Sequence, residues 1–154
     1  MRVYKTVRLA YETKLWIEQL IVARNRELQK EIRENQLIDL LENSLFDANG
    51  ELLNGISINI SLNVTGGSVI EQAVRYSRGF TLEEWQKIVI EMESEIKTIN
   101  DVSLDDSTPR LYINQEIIIE LEELQIFLKR DGGRPPRLSY IIKLVIYALK
   151  KVYI

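Results

Sequence analysis

The chain has 154 residues, 45% of them apolar, enough to build a core in one compact domain or two small ones. It holds no cysteine and no histidine, which excludes a disulfide framework, the usual zinc sites and imidazole acid–base or triad chemistry. The net charge of −3 is unevenly spread: residues 1–30 carry seven Lys/Arg against three Asp/Glu, residues 31–105 five against fourteen, and residues 106–154 eight against six. Basic ends around an acidic middle suggest that the ends face an anion while the middle is a solvated spacer.

In chain order, "RVYKTVRL" (2–9) alternates as a strand, with Val3, Val7 and Leu9 on one face and Tyr4, Thr6 and Arg8 on the other. From Tyr11 the period turns helical, with an apolar stripe of Trp16, Ile17, Leu20, Ile21 and Ala23. "RNREL" (24–28) either breaks this helix, so that 28–45 forms a second one, or lies inside a single helix over 12–44. Two Asn-Gly turn signals follow, and Ile56, Ile58, Ile60, Leu62 and Val64 then alternate strictly with Ser57, Asn59, Ser61 and Asn63. The pattern predicts a hairpin. Residues 68–78 and 81–97 read as helices with Ser68 and Thr81 as N-caps, and "NDVSLDDSTP" (100–109) reads as a linker. "RLYIN" (110–114) is a short strand running straight into a helix whose face carries Ile117, Leu121, Leu124 and Leu128. "RDGGRPP" (130–136) ends that helix, and Leu138 to Val152 forms a broadly apolar last one.

The two ends repeat each other. With Val7 placed on Leu111, Leu9 meets Ile113, Glu12 meets Glu116, Ile17 meets Leu121, Glu18 meets Glu122 and Leu20 meets Leu124. On "KTVRLAYETKLWIEQL" and "RLYINQEIIIELEEL…GGRPPRLSYIIKLVIYAL", each end resembles the ribbon-helix-helix fold of MetJ/Arc-type DNA-binding proteins. The tandem form resembles the accessory proteins of plasmid transfer. The resemblance implies a mainly α fold with short strands: one ribbon-helix-helix unit at 1–45, an acidic hairpin-plus-helices segment at 46–105 joining it to the other, and the second unit at 106–154. It also implies an antiparallel two-stranded ribbon that enters the major groove. The usual Gly–x–Ser/Thr turn is missing before residue 28, which leaves 28–45 and 68–78 both open as the first unit's second helix.

The outward strand parity supplies Tyr4, Thr6 and Arg8, then Arg110, Tyr112 and Asn114, as candidate base readers. Arginine can pair bidentately with guanine and asparagine with adenine. Arg134, Arg137 and Ser139 surround the start of the last helix, where free N–H groups favour a phosphate, and the family resemblance implies the same role. No Gly-rich phosphate loop, nucleophile elbow or metal spacing is present, and "TGGS" (65–68) is too short a signal to count; no enzyme, cofactor or metal is expected.

The expected function is sequence-specific binding of double-stranded DNA, as a transcriptional repressor or as a relaxosome or partition accessory factor. The alternative is a protein–protein scaffold that uses the long helices and finds its partner through the acidic residues 46–105. The strands are expected to pair antiparallel, within one chain as a pseudo-dimer or between chains as a homodimer. Leu144 and Ile146, outside the main stripe of the last helix, favour the homodimer. The opening "MRVYKTVRLAYETK" lacks a signal-peptide run, and no stretch nears the roughly 18 apolar residues of a membrane span, so a cytoplasmic protein without a membrane partner is expected.

Overall fold

In the computed structural model, which describes residues 1–99 and 106–154, the chain is mainly α-helical with one small antiparallel sheet. The elements are β1 (Arg2–Thr6), α1 (Tyr11–Glu34), α2 (Leu37–Asn49), α3 (Gly66–Tyr76), α4 (Leu82–Ile96), β2 (Arg110–Asn114), α5 (Gln115–Phe127) and α6 (Leu138–Tyr153). Residues 100–105, most of the expected linker, lie outside the described residues. No helix among the described residues is long and apolar enough to cross a membrane.

Two compact units are present, one built from 1–21 with 65–154 and the other from 22–64. The boundaries expected at 45 and 105 are not the limits of these units. A five-residue strand cannot stand alone. β1 therefore pairs with β2 from the far end of the chain, in the register Arg2 to Asn114, Val3 to Ile113, Tyr4 to Tyr112, Lys5 to Leu111 and Thr6 to Arg110. An isolated bridge between Leu9 and Ser107 extends the contact past the strand end.

α6 is the centre of the larger unit. From Ile141 to Leu149 every side chain except Lys143 is buried, as expected of a helix that is apolar nearly all round. Leu144 and Ile146 are fully enclosed, in a helix that packs against α3, α4 and α5 of the same chain. Cover for these two positions therefore comes from within the chain, and they supply no reason for a second one. The ring of Trp16 on α1 lies 5.2 Å from that of Tyr147, and the α6 lysines reach outward to carboxylates on other helices. Lys143 donates to Glu12 at 2.8 Å, Lys150 pairs with Glu95 and Lys151 with Glu91. Burial, reinforced by the charges of Glu95 and Glu91, pushes the Tyr147 hydroxyl up to about 12.

α3 and α4, from the segment expected to be a solvated spacer, supply Val69, Ile70, Ala73, Val74, Trp85, Ile88 and Met92 to this core. Both begin with reciprocal capping boxes, Thr81 with Glu84 and Thr65 with Ser68. The expected cap at Thr81 is therefore present. Ser68 instead occupies the third helical position, and Thr65 is the cap.

The smaller unit differs most from expectation. α1 continues through "RNREL" to Glu34, and the break falls at Gln36, whose φ of 50° is left-handed. "FDAN" belongs to α2, and Gly50 is its helical C-cap, not a hairpin turn. Gly55 does turn, with φ of 76°, but 56–64 forms no strand. The alternation is real, yet among the described residues the segment pairs with no strand, and an unpaired strand is not stable.

Leu144→Ala should cost about 2–5 kcal/mol, because the cavity would open in the middle of the core. Ile126→Ala, at a site 71% exposed, should stay within about 0.5 kcal/mol. Urea unfolding followed by tryptophan fluorescence reads both, since Trp16 and Trp85 lie in the larger unit.

Candidate nucleic-acid interface

Antiparallel pairing sends alternate side chains to one face of the ribbon, here Arg2, Tyr4 and Thr6 from β1 and Arg110, Tyr112 and Asn114 from β2. The opposite face, Val3, Leu111 and Ile113, turns toward the core together with Val7 and Leu9 beyond the strand. Tyr4 and Tyr112 are directly paired, 59% and 48% exposed, with ring centroids 4.9 Å apart. The Arg110 guanidinium lies 4.0 Å above the Tyr4 ring, and that of Arg2 lies 5.9 Å from the Tyr112 ring. Each arginine thus sits over the tyrosine of the other strand.

This register changes the repeat. α1 and α5 open at Tyr11 and Gln115, the columns matched in the sequence, but Tyr4 opposite Tyr112 makes Arg2-Val3-Tyr4 the counterpart of Arg110-Leu111-Tyr112. Four residues, Val7 to Ala10, separate β1 from α1, whereas β2 joins α5 directly. Arg2, on the same parity as Tyr4, belongs to the face and was missing from the expected set; the alternation of 2–6 already carried that signal.

One buried carboxylate holds the ribbon to the helices. Glu71 on α3, 1% exposed, accepts from Arg2 at 2.8 Å and from the backbone N–H of Asn114 at 3.0 Å. Arg2 and Asn114 face each other across the sheet, so Glu71 grips both strands at one end. Close packing of α3 adds to this grip. A Cβ on Gly67 would stand 2.3 Å from the Tyr112 carbonyl oxygen, so only glycine lets the start of α3 approach so near.

The expected readers have unequal standing. Tyr4, Thr6, Arg110 and Tyr112 share the outward face. Asn114 is the N-cap of α5, its amide oxygen accepting from the Glu116 N–H at 2.9 Å, which leaves chiefly its NH₂ group to face outward chemistry. Arg8 lies beyond the end of β1, exposed and 3.3 Å from Asp106. The expected phosphate group is separate. Arg134 is exposed in the turn before α6, Arg137 is the N-cap of α6 without a side-chain cap bond, and Ser139 is its second residue. No described hydrogen bond or ion pair links these three to the ribbon face.

The "TGGS" turn also acquires a structural role. Thr65 accepts from the Ser68 N–H at 3.1 Å and Ser68 Oγ from the Thr65 N–H at 2.8 Å, which orders the start of α3 against the ribbon. Of its two glycines, Gly67 is the one that the close approach to β2 requires.

Gly67→Ala should destabilise the chain by about 1–3 kcal/mol by forcing α3 from β2, while Gly66→Ala, whose added carbon would meet side chains at 3.6 Å and 3.7 Å, should be far milder. Thermal melts of the two variants test this. The ion pairs set the acid limb of stability. Burial pushes the Glu12 carboxyl up, but hydrogen bonding and charge from Lys143 prevail and hold it below the ordinary 4.5. The hydrogen bond from Arg78 likewise holds Glu120 down. Their contribution is complete above 4.5 and is lost as pH falls through the lower folded-state values. The melting temperature should therefore hold down to that value and then drop, with a shallower drop in Lys143→Met.

Compared with protein-family models, with curated proteins and with solved structures, the chain matches none.

Proposed function

We propose that the chain binds double-stranded DNA through the outward face of the β1–β2 ribbon, with the start of α6 holding a backbone phosphate. The observation that carries this reading is the paired Arg-x-Tyr face. An exposed antiparallel ribbon of major-groove width presents two arginines and two tyrosines in two-fold-like array. Arg2 and Arg110 are positioned by aromatic stacking, and Arg2 by Glu71 as well, so little side-chain freedom remains to be lost on pairing with guanine. The first two N–H groups of α6, at Leu138 and Ser139, have no helical partner, and Arg134 and Arg137 flank them.

The ribbon-helix-helix reading fits this assignment if α3, not α2, is the second helix of the first unit. α3 packs against α6 and β2, whereas α2 buries nothing. Gly66-Gly67-Ser68 then supplies the Gly–x–Ser spacing that is missing before residue 28. Residues 22–64 become an excursion between the two helices. A role at a promoter or a mobile-element origin stays within the proposal, since either calls on the same surface.

Binding of labelled duplex across a salt series tests the reading. Affinity should fall steeply with salt, and Arg137→Ala should weaken all sequences alike and flatten the slope by roughly one unit. Arg110→Ala should instead lose about 1–3 kcal/mol of preference at one base position. Asn114→Ala should act mainly through stability, because its oxygen caps α5. No duplex binding by the folded wild type at low salt would overturn the proposal.

A further inference from the structure

Residues 22–64 contain no buried side chain, although Val22, Leu40, Leu45, Phe46, Leu52 and Ile56 are among them and largely exposed. A two-helix unit of this kind gains nothing from a core of its own, and nothing within it repays the ordering of its backbone. Among the described residues, the backbone of 57–64 forms no hydrogen bond either, in the stretch with the strictest strand alternation in the chain. Apolar side chains and a strand-forming backbone are both left without partners in the same unit.

We propose that a second copy of this chain covers this unit, with residues 56–64 of the two copies pairing antiparallel about a two-fold axis near Ile60. The proposal is independent of the DNA reading. The occupant follows from charge and pattern. From Leu52 to Ile70 the sequence carries no charged residue, so self-pairing brings no like charges together. Antiparallel pairing centred on Ile60 sets Ile56 opposite Val64 and Ile58 opposite Leu62, and Ser57 opposite Asn63 and Asn59 opposite Ser61. Every apolar residue meets an apolar one, and one face stays continuous for burial.

The flanking helices are complementary in the same sense. The α1 portion in this unit lines the exposed Arg26, Lys30 and Arg33 along one face at helical spacing, with Glu27, Glu31 and Glu34 on the neighbouring face, while α2 carries Asp39, Glu42 and Asp47 and no basic residue. In an isologous interface each patch meets its counterpart reciprocally, so the basic face of α1 in either copy can meet the acidic α2 of the other.

Sedimentation of the full chain at micromolar concentration should give twice the 18.0 kDa chain mass. Because the chain has no cysteine, Ile60→Cys places a single thiol at the axis. Mild oxidation should convert it to a disulfide-linked dimer, while Ile126→Cys, in the other unit, should give none. The double variant I58K/I60K should return to the single-chain mass with its tryptophan fluorescence unchanged, since Trp16 and Trp85 belong to the other unit. Three results would each overturn the proposal: a monomeric wild type, a dimer that survives the two lysines, or a dimer that Ile60→Cys leaves unlinked. If the lysine variant misfolds, cross-linking alone gives the decision.

Discussion

The meeting of β1 with β2 is the constraint on which the larger unit depends. Neither strand has another described partner, and each is only five residues long, so the two ends of the chain must come together for either to exist. Once they do, α1 and α5 leave the ribbon, α6 packs against α3, α4 and α5, and Glu71 ties α3 to both strands. That carboxylate is costly to bury unless fully engaged. It is engaged twice, by the Arg2 guanidinium and by the Asn114 amide, so register and helix packing are settled at one point. A one-residue slip of either strand would take away that strand's partner of Glu71 and turn its tyrosine inward.

The ribbon's outward chemistry follows from that register. With Tyr4 opposite Tyr112, each arginine finds an aromatic ring across the strand pair and is held near its surface. The two halves are alike in type but not in environment. Arg110 stacks closely and has no carboxylate in its described ion pairs, whereas Arg2 shares itself between Tyr112 and Glu71. A ligand contacting both halves would meet two related surfaces of unequal strength. In the proposed function, that inequality corresponds to an imperfect palindrome.

Local pattern made much of the larger unit legible. The alternation of 2–6 and 110–114, the helix faces at Trp16, Ile17 and Leu20 and at Ile117 and Leu121, and the cap at Thr81 all stand where periodicity put them. What it could not supply was partnership. Charge counted in blocks made 31–105 a solvated spacer, yet several of its carboxylates are tied to cations elsewhere: Glu71 to Arg2, Glu95 to Lys150 and Glu91 to Lys151. Between those acids lie Val69, Ile70, Trp85 and Met92, which are core. Parity likewise identified an outward face without fixing register, so the strand repeat was matched four residues away from its structural counterpart.

The failed strand at 56–64 is a different kind of miss. Alternation reports which face of a segment would be buried if an edge were available, and it says nothing about where that edge is. In the larger unit the same logic worked for "RLYIN" because its partner lies in the same chain. In the smaller unit the apolar alternation, the exposed α2 side chains and the backbone of 57–64 are all left without a partner among the described residues. The proposed second copy would supply that edge, and the absence of charge from Leu52 to Ile70 lets an identical edge fit without repulsion.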